Sequence, residues 1–315
     1  MKKILVLHTG GTIAMQENED GEVDLQLVNP LYETTKSLAS FANIVEAEYA
    51  NLPSPHITPS FVVTMVKKLK ERVKNEKFNG VVITHGTDTL EETAYLIDLL
   101  WDLDVPIVMT GAMRSSNELS ADGPYNYVNA LRIAASDEAA SRGVLVTFNG
   151  DIHTAVNVTK TDTSKVNAFT SPDTGPIGIV TKENVFFFHG VKKREHYTVD
   201  QLTKRVPLVK IYAGIEPDIF EALLSANIDG LVIEAFGQGN VPPAIVAPLK
   251  NLITNNIPVV LVSRCLSGFV QPTYSYEGGG KTLRELGVIF AGNLSGQKAR
   301  LKLLVLLEAG EKLAF

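Results

Sequence analysis

Short, wholly apolar runs alternating with amphipathic stretches constrain this chain more than any other feature. "ILVL" (4–7), "GVVIT" (80–84), "PIVMT" (106–110) and "GVLVTF" (143–148) show no polar–apolar alternation. Such runs suit strands buried on both faces, as in a mostly parallel sheet covered by helices. Helical patterns fall between them. Over 61–73 the residues Val62, Val66, Leu69 and Val73 share one face, and Leu90, Ala94, Ile97 and Trp101 do so further on. The predicted fold class is α/β, with a larger N-terminal domain built on a mostly parallel sheet.

A related pattern follows. "DGLVIEAFGQGN" (229–240) repeats the layout of "NGVVITHGTDT" (79–89): a glycine, a buried strand, a polar loop. The proline-led "PVVLV" (258–262) then takes the place of "PIVMT". A smaller, Rossmann-like α/β C-terminal domain is predicted, and 315 residues is a length that favours two domains. The expected boundaries are 1–190 for the first domain, 191–206 for a charged, apolar-poor linker, and 207–315 for the second. Within the first, 13–29 reads as a hairpin turning at Asp20-Gly21. So acidic a segment cannot be core. It is either a solvated excursion or a lid, since lids must have few buried contacts in order to move.

Composition removes several function classes. The chain is 45% hydrophobic and 20% charged, which suits a soluble globular protein, and its net charge of −6 argues against a nucleic-acid partner. A single cysteine, Cys265, permits no internal disulfide, and no Cys/His spacing suggests a metal site. Following a strand, Cys265 is expected to be a small buried apolar residue. The apolar start ends at His8 and two glycines, too soon for a signal peptide. No run nears the roughly 18 residues a membrane helix needs. A cytoplasmic protein with no membrane partner is expected.

In open parallel sheets ligands bind beyond the carboxyl ends of the strands, so the polar groups there carry the functional reading. The first strand ends in "HTGGTIA". Gly10 and Gly11 permit a sharp turn and close backbone approach, which offers N–H groups to an anion and presents Thr12. The run enters a hairpin instead of a helix, unlike a dinucleotide-binding G-x-G-x-x-G. At the second strand end, Thr89 and Glu92 fit the capping box T-x-x-E, which sets Thr87 and Asp88 just before a helix N-terminus. In "DIHTAVNVTKTDT" (151–163), alternation at Val156 and Val158 predicts a strand with Lys160 near its end. Singly, these are ordinary turn residues, a cap and an edge lysine. Jointly they are the parts of acyl transfer: a hydroxyl nucleophile (Thr12 or Thr87), Lys160 as base, Asp88 as its partner, and backbone donors for an oxyanion. A lysine desolvated among hydroxyls can take a proton from a threonine.

With "TGGTIA" (9–14), "THGTDTLEETA" (84–94), "PIVMTGAMR" (106–114), "VTKTDT" (158–163) and "AGNLSGQKAR" (291–300) in this order, the chain resembles the bacterial two-threonine asparaginase/glutaminase family over nearly its whole length. "SRCLSG" (263–268) is similar to the cytoplasmic branch. The resemblance implies hydrolysis of L-asparagine to L-aspartate and ammonia by double displacement, without metal or organic cofactor. It implies Thr12 as primary nucleophile on a mobile hairpin, with Thr87 and Lys160 as a second hydroxyl–base pair. Asp88 would bind the substrate amino group and Ser54 its α-carboxylate, with the Gly11 and Thr87 N–H groups facing the oxyanion. It also implies a homodimer or dimer of dimers, in which a second copy supplies Asn240 and, from the loosely similar "SYEGGGKTL" (275–283), Glu277. Two departures stand out. No tyrosine lies between Thr12 and Tyr32, where many members carry one on the lid, and Glu22 occupies about that place. Pro55 and His56 follow Ser54 where more polar contacts are usual. The alternatives are a glutaminase or other amidase on this fold, or a noncatalytic amino-acid-binding protein. The set Thr12, Thr87, Asp88 and Lys160 separates the last from the others, because binding alone needs no base beside two hydroxyls.

Overall fold

The computed structural model describes every residue except 27, 28, 39, 40, 192 and 193, and only the backbone of Leu25. Parts of the expected lid (27 and 28) and of the expected linker (192 and 193) therefore lie outside the described residues. The chain divides into two units, Met1–His196 and Tyr197–Phe315.

In the first unit the strands are β1 (Lys3–His8), β2 (Met15–Glu17), β3 (Val23–Leu25), β4 (Asn43–Glu48), β5 (Gly80–Thr84) and β6 (Ile107–Thr110). They continue with β7 (Val144–Phe148), β8 (Asp151–Thr154), β9 (Thr159–Lys160), β10 (Phe169–Thr170), β11 (Gly178–Val180) and β12 (Val185–Phe187). The helices are α1 (Leu31–Ser37), α2 (Pro59–Glu76), α3 (Leu90–Leu100) and α4 (Gly123–Ala135). One sheet runs in the order β12-β11-β8-β7-β6-β5-β1-β4. From β7 to β4 its strands are parallel, while β8, β11 and β12 extend it antiparallel. Every residue of β5, β6 and β7 is buried, as apolar runs without alternation require. On one face Ile4, Val6, Val82, Val108 and Leu145 pack with α4 residues and with Leu31 of α1. Helix α3 lies against β6 and β7, with α2 beside it.

The strand predicted through Val156 and Val158 does not form. Asn149 and Gly150, both with positive φ (51° and 89°), make a tight hairpin that pairs Phe148 with Asp151 and Leu145 with Thr154. Strand β8 therefore ends where its partner β7 begins. The chain turns at once, with the N–H groups of Asn157 and Val158 both donating to the Thr154 carbonyl. Val156 is exposed in that turn, and Lys160 stands on the separate two-residue strand β9, paired with β10.

The second unit is a parallel sheet in the order β13 (Leu208–Lys210), β14 (Leu231–Ala235), β15 (Val259–Ser263), β16 (Ile289–Phe290). Its helices are α5 (Asp218–Ser225), α6 (Val246–Thr254), α7 (Gly280–Glu285) and α8 (Gly296–Ala309), and α8 packs against β13, β14 and β15. Both units are α/β with parallel sheets, as the sequence predicts. Cys265 is not buried: it is exposed in the loop that leaves β15. Its N–H donates to Ser263 Oγ at 3.1 Å, which turns the chain outward, and Arg264 to Phe269 are all exposed.

Candidate active site

Strands β1 and β5 are neighbours in register, so the loops at their carboxyl ends meet. Glycine sets how closely. Gly11 has φ 87° and ψ 176°, a conformation only glycine adopts freely, and a Cβ there would lie 2.2 Å from the Gly86 Cα. The two backbones are in contact, with Thr12 and Thr87 one residue beyond it on either side. A Cβ on Gly86 would sit 2.8 Å from Ser54 Oγ, which brings buried Ser54 to the same place. A Cβ on Gly111 would lie 2.4 Å from the His85 carbonyl oxygen and 3.4 Å from Thr87 Cγ2. Three strand ends thus close on one small volume.

Thr12 is half-buried and opens a single 3₁₀ turn, Thr12–Ala14, that leads into the β2–β3 hairpin. Its hydroxyl has no hydrogen-bond partner among the described residues. A neighbouring loop bonds to the hairpin: Ser116 donates to the Met15 carbonyl from N–H and hydroxyl, and Asn117 exchanges two bonds with the Glu17 backbone. Glu22 lies exposed in the hairpin turn, its carboxylate 3.4 Å from Asn18 Nδ2.

Lys160 joins the other groups. Its Nζ donates to Thr87 Oγ1 at 2.9 Å and to Asp88 Oδ1 at 2.7 Å. The lysine side chain is 16% exposed and the Asp88 side chain 65%, so the carboxylate faces both the lysine and solvent. Thr89 stands at the N-cap of α3, but its side chain makes no capping bond. Its hydroxyl instead donates to the Ser54 carbonyl at 2.9 Å, a tertiary bond that replaces the local one and ties the Ser54 turn to the start of the helix. His8, at the end of β1, is fully buried and bonded to Thr84 and Glu46, which makes it part of the scaffold.

Sequence reasoning missed the supports of this cluster. Glu91 Oε1 accepts from the Thr159 hydroxyl at 3.1 Å and from the Lys160 N–H at 3.3 Å. The signal was available: "LEETAYLIDLLW" is apolar nearly all round, so its helix is central and an acid within it must be engaged. His85, fully buried, donates from Nδ1 to the Gly86 carbonyl at 2.7 Å and accepts the Thr93 hydroxyl at Nε2 at 3.1 Å. It fixes the Gly86 peptide that touches Gly11. Burial pushes its pKa down from 6.5 to about 4, against the opposing pull of the Gly86 carbonyl. The unfolded chain therefore takes up a proton that the folded chain refuses between those two values. Stability contributed by neutral His85 is complete above pH 6.5, falls as pH drops towards 4, and levels off below. The expected loss is about 3 kcal/mol, from 1.36 kcal/mol per pKa unit. Urea midpoints at pH 7, 5 and 4 should show it, with a smaller drop for His85→Gln.

Asn240 and Glu277 belong to the second unit. Asn240 closes the turn after β14 through a backbone bridge to Phe236, and its Oδ1 accepts the Gly280 N–H at 3.2 Å. Glu277 is exposed in the turn that precedes α7. The residues that the structure brings together within one unit are Gly11, Thr12, Ser54, Thr87, Asp88 and Lys160. Among the described residues no group of three or more His, Cys, Asp or Glu could hold a metal ion, and no helix is long and apolar enough to cross a membrane.

Comparison with known proteins identifies the family. Residues 3–194 match the family model "Asparaginase, N-terminal" and residues 205–314 match "Glutaminase/Asparaginase C-terminal domain". A probable L-asparaginase of Deinococcus radiodurans is 39% identical, over 98% of this chain and 94% of that protein. L-asparaginase 2 of Escherichia coli is 33% identical, over 96% and 88% respectively. The crystal structure of a probable cytoplasmic L-asparaginase from Campylobacter jejuni superposes with a TM-score of 0.87 at 33% identity, covering 98% of this chain and 95% of that one. A hydroxyl–lysine–carboxylate cluster at the strand ends and two family models spanning almost the whole sequence lead to one conclusion: this chain belongs to the asparaginase family.

Proposed function

We propose that the chain hydrolyses the side-chain amide of L-asparagine, giving L-aspartate and ammonia, with Thr12 as nucleophile. The observation that carries this reading is Lys160 Nζ bonded at once to Thr87 Oγ1 and Asp88 Oδ1, beside the Gly11–Gly86 contact. Thr12 Oγ attacks the amide carbon, and its proton passes through the Thr87–Lys160 pair to the departing nitrogen. Gly11 and Thr87 N–H groups face the oxygen that becomes negative. Ammonia leaves, an aspartyl ester remains, and water activated by the same pair attacks that ester to restore the threonine. No cofactor takes part in these steps. Asp88 and Ser54 hold the α-ammonium and α-carboxylate, and this remote binding aligns the amide with the nucleophile. The substrate ammonium competes with Lys160 for the exposed Asp88 carboxylate, so binding itself loosens the lysine from its ion pair.

The β2–β3 hairpin serves as the lid, and segment 191–206 as the linker between a 1–190 catalytic domain and a 207–315 domain. The working form is a cytoplasmic homodimer or dimer of dimers, in which a second copy offers Asn240 and Glu277. Exposure of Glu277 and the likeness to a protein named cytoplasmic support this. Ammonia release, followed over a concentration series of L-asparagine and separately of L-glutamine, tests the reading. Release from asparagine at the higher kcat/KM is expected, and none from either amide would defeat it.

A further inference from the structure

A strand of two residues is a weak mount for a base that must hold its place within a fraction of an ångström. Residues Thr159 and Lys160 form such a strand. One edge of it is occupied. Lys160 pairs with Phe169, the Thr161 N–H donates to the Ala168 carbonyl at 2.7 Å, and the Phe169 ring stacks on Phe148 with centroids 4.2 Å apart. Successive N–H groups of a strand point to opposite edges, so the Lys160 N–H faces away from β10. Glu91 stands there in place of a neighbouring strand. Its Oε1 takes both the Lys160 N–H and the Thr159 hydroxyl, and the residue is only 6% exposed.

Glu91 lies in the first turn of α3, directly after the segment that presents Thr87 and Asp88. One stretch of chain therefore grips Lys160 at both ends: its main chain through Glu91, its ammonium through Thr87 and Asp88. We infer that Glu91 is a positioning residue, which sets the reach of Lys160 Nζ to Thr87 Oγ1 and so the efficiency of proton transfer; the inference rests on the function proposed above. Glu91 touches neither substrate nor reacting atoms in this scheme. Its effect falls on kcat and leaves the groups that bind asparagine, Asp88 and Ser54, in place.

The test compares Glu91→Ala, Glu91→Gln and Thr159→Val in the full chain, with kcat and KM for L-asparagine measured beside thermal melting. Glu91→Ala should lower kcat by about 30- to 100-fold with KM within about threefold, since a displacement near 1 Å can cost 10²-fold. Glu91→Gln keeps an acceptor oxygen at the same reach and should retain the larger part of kcat. Thr159→Val removes one of the two bonds without emptying a buried site, so it should lower kcat by about 3- to 10-fold even where Glu91→Ala fails to fold. Wild-type kcat in Thr159→Val and in a folded Glu91→Ala overturns the inference. Equal damage from Gln and Ala, or a loss shared by kcat and KM, also overturns it. A wild-type chain that releases no ammonia from asparagine defeats the proposed function instead, which keeps the two failures apart.

Discussion

Replacement of Thr12 by alanine should lower the kcat for asparagine by at least about 10⁴-fold, on the scale seen when a hydroxyl nucleophile is removed from a hydrolase. Binding of L-aspartate, followed by calorimetry, should stay within a few-fold of wild type. The two outcomes separate because the groups differ. In the proposed scheme Asp88 and Ser54 hold the ends of the amino acid, while Thr12 forms the ester. The fold should survive, since the Thr12 hydroxyl has no partner among the described residues and alanine leaves nothing unsatisfied. Coincident melting curves for the two proteins would check this. Binding lost together with turnover would mean that Thr12 shapes the pocket instead of reacting in it.

Lys160→Met should lower kcat by about 10³-fold, within the 10²- to 10⁴-fold range of general acid–base catalysis. Among the described residues the lysine is the one group bonded to both Thr87 and Asp88, and methionine keeps its length without a proton site. Asp88 is 65% exposed, so water can satisfy it once the ion pair is gone, and the deficit belongs to chemistry more than to folding. Lys160→Arg sharpens the experiment. Arginine restores the charge beside Asp88 but cannot give up its proton, and its planar fork does not reproduce a point donor. Steady-state kinetics should find it almost as slow as methionine. An arginine variant near wild-type activity would reduce Lys160 to an electrostatic partner.

What the sequence disclosed follows from the range of the interactions involved. Buried strands are local: "GVVIT" and "GVLVTF" each carry a single polar residue, a threonine at or next to the strand end, so their position in a covered sheet was legible. Glycine pairs at strand ends were equally legible, because a positive φ and a close approach leave few other choices. Tertiary competition was not. Thr89 has every local feature of a cap, yet the Ser54 carbonyl, 35 residues away in sequence, takes its proton. Val156 and Val158 alternate as a strand should, but the Asn149-Gly150 hairpin had already set where β8 must stop. Cys265 follows a buried strand and still emerges, because burial needs a cover that no local pattern announces. Glu91 is the most instructive miss. Its chemistry lies in a bond to Lys160, 69 residues on, and periodicity carries no information about that distance.

Mapping the acyl intermediate tests the central claim most directly. The wild-type chain is mixed with L-asparagine, quenched in acid within milliseconds to seconds, digested, and its peptides are examined by mass spectrometry. An aspartyl ester on the peptide that carries Thr12, absent from the Thr12→Ala chain, is the predicted result. An ester on Thr87 with Thr12 unmodified, or steady ammonia release with no ester at any quench time, would contradict it.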